Sequence, residues 1–343
     1  MTEQLAQKVL TGNRRAVARL ITRIENNHPH AKTDLATLYP HTGKSHLVGV
    51  TGSPGTGKSS LVNKLAKACR QKDKTIAILA IDPTSPFSGG AILGDRIRMN
   101  ELVGDKGAYI RSMASRGSLG GLAAATDDAI KVLDAAGFDV IFIETVGAGQ
   151  SEVEIVKTAH TVIVVEAPGL GDDVQAIKAG ILEIADIFVV NKADRNSAGR
   201  AVASLKMMLE LGHPTSRVIM HHGQMMQVGS DHPHKVQPCD SADEQVSTWL
   251  IPVLKTVALT GKGIDEVMTA IDQHYQHLQH SGELAERNRN RLRDEVRSTL
   301  QLKLMRRFLA KIPSDDISAI MSEVINRRLS PYNAVQQILD KGF

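Results

Sequence analysis

Residues 46–59 read His46-Leu-Val-Gly-Val-Thr-Gly52-Ser53-Pro54-Gly55-Thr56-Gly57-Lys58-Ser59. A short apolar run ends in a glycine-rich turn, and the turn opens an amphipathic stretch over 58–71. The spacing fits G-x-x-x-x-G-K-[ST] in the strand-to-helix setting that this pattern needs. Glycines let main-chain N–H groups close around phosphate oxygens, and the first turn of a helix adds its positive dipole end. Ser53, Pro54, Gly55, Thr56, Gly57, Lys58, Ser59 and Ser60 are therefore the candidate phosphate cradle. Lys58 would reach the β- and γ-phosphates, and the Ser59 hydroxyl would hold Mg2+.

The texture around this turn repeats. Apolar, β-rich runs recur at 46–50, 75–81, 139–143, 161–166, 186–190 and 251–258, with helical candidates at 58–71, 121–136, 172–184, 197–211 and 263–279. Short, almost continuously apolar strands separated by helices predict an α/β P-loop NTPase fold, a mostly parallel sheet covered by helices on both faces. Ahead of it, apolar residues at three- and four-residue steps over 3–26 predict two short helices parted at Gly12-Asn13. The segment 213–247 holds five of the 13 histidines without periodicity and reads as a loop-rich insertion. Beyond about residue 282, Leu292, Val296, Leu300, Leu304 and Phe308 recur every four residues, and a last helix follows Ser330-Pro331. The expected division is a helical extension over 1–42, a P-loop domain over 43–281 and a helical arm over 282–343.

Composition narrows the function. The chain has 343 residues, 42% hydrophobic and 23% charged, which is ordinary for a globular protein. Aromatics are 3%, so rings for stacking nucleic-acid bases are scarce. The net charge of +4 sits in one place: residues 283–307 hold eight basic side chains against four acidic ones. Without interleaved aromatics that segment does not read as a nucleic-acid surface. Its apolar stripe fits packing against a second copy, so a homodimer is expected. Two distant cysteines, no secretory leader and no apolar run near the ~20 residues needed to cross a bilayer predict a cytoplasmic chain with no membrane partner.

Asn191-Lys192-Ala193-Asp194 follows the run ending at Val190. At the end of a late strand in a P-loop protein this is a guanine selector. The Asp194 carboxylate can accept from the guanine N1–H and exocyclic amine, a pair of donors that adenine lacks on that edge. The Lys192 stem would pack on the base and Asn191 would tie this loop to the phosphate loop. Val257, Ala258 and Leu259 are the candidate second wall of the base pocket. Asp82 and Glu144 end strands beside the P-loop and are candidate metal and catalytic carboxylates, together with Lys58. Asp95 lies on a Gly-rich stretch from which it could join the metal shell. Gly147 could offer its N–H to a γ-phosphate. No dedicated nucleophile is evident, so hydrolysis would use a positioned water.

The strings G-S-P-G-T-G-K-S-S, I-D-P-T-S-P-F-S-G-G-A-I-L-G-D-R-I-R-M, E-T-V-G-A-G-Q-S-E, G-D-D-V-Q-A-I-K-A-G-I and N-K-A-D stand in this order. Together they resemble the MeaB/ArgK family, called MMAA in animals: G-protein chaperones of adenosylcobalamin-dependent methylmalonyl-CoA mutase and its relatives. The resemblance implies a homodimeric GTPase, slow alone, that binds a B12-dependent acyl-CoA mutase and gates cofactor loading from an adenosyltransferase. It implies GTP/GDP and Mg2+ as ligands, with no cobalamin bound by this chain itself. Lys58, Ser59, Asp82, Asp95 and Glu144 match its nucleotide and Mg2+ positions. Gly147, Gln150, Asp172, Asp173, Gln175 and Lys178 match its switch and partner-coupling stretches.

Two departures stand out: Val257, where the family carries a small hydroxyl residue, and the His/Met-rich stretch 213–240. The irregular spacing of His221, His222, His232, His234 and Cys239 favours a solvated loop over a metal site. A nickel-delivery GTPase would need a His-rich N-terminus or a Cys/His site by the nucleotide. A small-molecule or protein kinase would need a base and an acceptor pocket. A Min-type ATPase would carry a second lysine at Ser53.

Overall fold

The computed structural model describes residues 3–83, 102, 104–115, 121–145, 158–169, 183–211, 218–221, 224–227 and 248–342. In chain order these form α1 (Glu3–Leu10), α2 (Arg14–Glu25), α3 (Ala31–Leu38), β1 (His46–Thr51), α4 (Lys58–Gln71), β2 (Ile76–Pro83) and β3 (Ala108–Ser115). Then come α5 (Gly121–Ala135), β4 (Val140–Thr145), β5 (Thr161–Glu166), β6 (Ile187–Val190) and α6 (Ala198–Leu211). A short pair β7 (Val218–His221) and β8 (Gln224–Gln227) precedes β9 (Val253–Lys255) and α7 (Ile264–His280). The chain ends in α8 (Glu283–Leu309), α9 (Ser314–Ile325) and α10 (Pro331–Gly342).

Seven strands form one sheet in the order β3-β2-β4-β1-β5-β6-β9, all paired parallel. Strand alternation splits the core into two layers. Leu47, Leu79, Ile141, Val162 and Phe188 face the helices α1–α3, α5 and α6. Val48, Ile78, Phe142, Ile163 and Val189 face α4 and α7. The predicted parallel sheet with helices on both faces is what forms. The order also places β1 between β4 and β5, the strands reached after the chain has travelled out to β3 and back. In open parallel sheets such a reversal opens a crevice at the C-terminal strand ends, and the loop after β1 lies there.

The expected strand over 251–258 shortens to β9, because from Thr256 onward the main chain serves the neighbouring loops: Ala193 N donates to Thr256 O at 3.0 Å, and Val257 N donates to Lys262 O at 2.9 Å. β3, α3, the β7–β8 pair and α9 were not anticipated. β3 alternates Tyr109 and Arg111 with smaller residues on the sheet edge, where half-polar composition hides the strand. α3 is an eight-residue helix whose apolar positions are too few to show a period. Inside the 213–247 insertion, β7 and β8 pair antiparallel. The helix break at Gly12-Asn13 forms as expected: the Asn13 side chain accepts from Arg15 N and Ala16 N, both at 3.1 Å, and caps α2.

The chain divides into two compact units, Met1–Arg287 and Asn288–Phe343. Helices α1–α3 share the core of the first unit. In the second, Gly342 at the end of α10 packs on the Phe308 ring, and Lys341 pairs with Asp316 at 2.8 Å. No residue of α8 is buried, and Val296, Leu300, Leu304 and Met305 are all exposed.

Candidate nucleotide site

The loop after β1 is built by close main-chain approach. Gly52 has φ +132°, and a Cβ there would stand 2.1 Å from the Val165 carbonyl oxygen on β5. Gly57, at φ +93°, caps α4, and a Cβ there would stand 2.5 Å from Asn191 Nδ2. Both positions exclude side chains, which explains the glycine spacing of the motif. The first-turn N–H groups of α4, on Lys58, Ser59 and Ser60, have no acceptor within the helix by its geometry and point out of its N-terminus. Thr56 is buried and closes the loop, with its hydroxyl donating to Ser53 O at 2.9 Å. Pro54 and Gly55 form the exposed rim.

Lys58 is buried, and its ammonium donates to Gly52 O at 2.6 Å and Ser53 O at 3.0 Å, so it lies along the inner wall of the loop. Ser59 Oγ donates to Glu144 Oε1 at 2.5 Å, and Glu144 is buried at the end of β4. A hydroxyl beside a buried carboxylate is the hard-oxygen donor set that Mg2+ takes, so these residues fit that ion. Thr145 Oγ1 donates to Thr51 Oγ1 at 3.0 Å, joining the ends of β4 and β1.

Asn191 ties three segments together. Its Nδ2 donates to Thr56 O at 2.8 Å, and its Oδ1 accepts from Thr256 Oγ1 at 3.1 Å and Ala258 N at 3.0 Å. The phosphate loop, the 191–194 turn and the loop after β9 are thereby held as one cluster. Lys192 has φ +56°, and its Nζ donates to Gly55 O at 2.6 Å, so its stem spans from the 191–194 turn to the rim of the phosphate loop. Asp194 is exposed on that turn. Of the second wall, Ala258 is buried, Val257 is half-buried and Leu259 is 83% exposed.

The candidate residues Lys58, Ser59, Glu144, Asn191 and Lys192 thus converge at one edge of the sheet. Asp82 is placed by its main chain in the last turn-ward residues of β2, paired with Ala114 of β3. Asp95, Gly147, Gln150, Asp172, Asp173, Gln175 and Lys178 lie outside the described residues, as does most of the His/Met-rich stretch. Among the described residues no group of His, Cys, Asp and Glu could hold a metal by itself, and no helix is long and apolar enough to cross a membrane. Reading by motif missed Thr51, Thr145 and Thr256. They adjoin motif residues in sequence, but their hydroxyl partners lie far along the chain: Thr51 and Thr145 join β1 to β4, and Thr256 reaches Asn191 on the turn after β6.

The family model described as methylmalonyl Co-A mutase-associated GTPase MeaB matches residues 17–312. A Pyrococcus horikoshii protein described as a GTPase is 46% identical over 339 residues, covering 99% of this chain and 98% of its own. GTPase ArgK of Escherichia coli is 30% identical over 337 residues, covering 97% and 94%. The mitochondrial methylmalonic aciduria type A homolog of Caenorhabditis elegans is 29% identical over 322 residues, covering 87% and 74%. The crystal structure of LAO/AO transport system kinase shares the fold, with a TM-score of 0.68 at 24% identity over 99% of this chain and 96% of that one. With its phosphate loop in place and these likenesses running along almost its whole length, the chain belongs to the MeaB family of P-loop GTPases.

Proposed function

We propose that this GTPase gates the loading of adenosylcobalamin into methylmalonyl-CoA mutase or a related B12-dependent acyl-CoA mutase, and protects or reactivates that enzyme. The observation that carries the guanine-nucleotide part is the Asn191 cluster, which locks a base-selecting turn to a phosphate loop. The family's own description and the methylmalonic aciduria relative support the mutase as partner.

In this reading GTP is the substrate. Lys58 swings from the loop carbonyls to phosphate oxygens, and the N–H groups at the start of α4 hold the same charge. Ser59 and Glu144, with Asp82 and Asp95, would hold Mg2+, which would neutralise charge on the phosphates. Asp194 selects guanine, Lys192 covers the base, and Val257, Ala258 and Leu259 wall it. Gly147 and Gln150 sense the γ-phosphate, and Asp172, Asp173, Gln175 and Lys178 relay that state to the mutase. Apolar side chains exposed along α8 support homodimerisation through the C-terminal arm. The adenosyltransferase is met indirectly, as the source of cofactor in the mutase complex. Cobalamin itself is carried by those partners.

The test is GTP and ATP turnover by the purified chain, alone and with a purified B12 mutase. Slow GTP hydrolysis that the mutase accelerates is expected. Equal use of ATP would remove the guanine assignment, and no complex with any B12 mutase would remove the chaperone role.

A further inference from the structure

At the opposite edge of the sheet, the entrance to β6 holds a buried carboxylate that the nucleotide site does not use. Asp186 is 3% exposed and surrounded by donors. Val162 N donates to its Oδ2 at 2.8 Å, and Arg287 forks onto it, Nη1 to Oδ2 at 3.1 Å and Nη2 to Oδ1 at 3.0 Å. His274 Nε2 lies 3.3 Å from Oδ1. The Asp186 carbonyl accepts from Trp249 Nε1 at 2.8 Å, and Arg287 Nη1 also donates to His160 O at 2.7 Å. Burial pushes the Asp186 carboxyl up, but the His274 hydrogen bond and the Arg287 charge outweigh it and hold the group well below the usual carboxylate range. It therefore stays ionised at neutral pH.

Three elements meet here. β6 has four residues, so Asp186 and Asn191, five steps apart at ~3.3 Å each, stand ~17 Å apart along the strand. α7 carries His274, and its start adjoins the loop of the base wall at Gly263, where a Cβ would stand 2.1 Å from Lys255 O. α8 supplies Arg287, the last residue of the first compact unit; the C-terminal unit begins at Asn288. Both guanine loops are thus pinned at their far ends by one side chain, and the residue that clamps it stands at the root of the arm. Close-packed elements move as units and not by gradual deformation, so a shift of Arg287 is passed along β6 and α7.

We infer that Asp186, clamped by Arg287 and His274, is a positioning residue for the guanine pocket, and that the root of the C-terminal arm sets nucleotide affinity through it. This rests on the guanine assignment above. It deepens that assignment by giving the arm a route to the site: a partner that displaces α8 at Arg287 loosens Asn191–Asp194 against the 256–263 loop and favours release of the nucleoside diphosphate.

The test compares binding of GDP and of IDP, which lacks the exocyclic amine that donates to Asp194. For R287Q we expect GDP affinity to fall about tenfold, within the usual range of site-to-site coupling, and IDP affinity to fall less, so that discrimination between them shrinks. R287K keeps the cation but loses the fork, and should give an intermediate ratio. It carries the comparison if R287Q does not fold. Equal losses for GDP and IDP would mean general destabilisation and would overturn the proposal, as would a folded variant with an unchanged ratio. A wild-type chain that binds GDP and IDP alike would overturn the base assignment, and this proposal with it.

Discussion

Replacing Asn191 by alanine tests the link between the two halves of the nucleotide site. Asn191 is 2% exposed and makes three hydrogen bonds, to Thr56 O, Thr256 Oγ1 and Ala258 N, at 2.8, 3.1 and 3.0 Å. At about 1 kcal/mol net for each bond, with the buried partners left unsatisfied, N191A should cost about 3 kcal/mol. For a unit of this size, about 2 °C of melting temperature goes with each kcal/mol, so Tm should drop by about 6 °C. N191D is the sharper control. One oxygen still accepts from Thr256 and Ala258, but the other replaces a donor and faces the Thr56 carbonyl, so the loss should be as large as in N191A. T256V should cost less in the N191A background than in the wild type, with a coupling of about 1 kcal/mol. Scanning calorimetry with and without GDP reads both effects, because a ligand that binds only the folded state raises Tm by an amount that grows with the logarithm of its affinity. N191A is expected to melt earlier and to gain less from GDP. A melting temperature within about 1 °C of wild type, with the full GDP increment, would refute the idea that Asn191 joins the loops.

Gly52→Ala puts a methyl group 2.1 Å from the Val165 carbonyl, so phosphate binding should be lost even where the chain still folds; isothermal titration with GDP checks this. Asp194→Asn should weaken GTP and improve xanthosine triphosphate, since the amide can donate to the xanthine oxygen; unchanged GTP affinity would sink the base assignment. His46 titrates well below its ordinary value because it is buried and faces His160, His274 and Lys74. The native state therefore refuses a proton that the unfolded chain takes up near pH 6.5, and stability present above that pH is lost as the pH falls below it. The slope approaches about 1.4 kcal/mol per pH unit. Melting temperatures between pH 7.5 and 5.5 should fall less steeply in H46N, and an identical slope would exclude His46 as the source.

Much of this was legible in the primary structure because the information is contiguous. Eight contiguous residues specify the phosphate loop, although the groups that crowd Gly52 and Gly57, Val165 O and Asn191 Nδ2, lie far along the chain. α4 forms over Lys58–Gln71, the span that periodicity marks, and β5 forms over Thr161–Glu166. α4 keeps a regular apolar face with Leu61, Val62, Leu65, Ala66 and Cys69 buried, and β5 is buried along almost its whole length. β3 escaped because an edge strand is half polar, and α3 because eight residues barely exceed two helical turns.

The nucleotide chemistry was thus written in short strings, while the cohesion of the site was not. Asn191 announces itself in N-K-A-D, yet its partners Thr56 and Ala258 lie 135 and 67 residues away. Asp186 looks like an ordinary polar residue ahead of a strand. Only folding brings it to Arg287, 101 residues on, and to His274. Local motifs can be read because the chain itself holds their members at fixed spacing. The clamp at the entrance to β6 depends on which strand ends lie side by side, and that is set by the packing of the whole sheet.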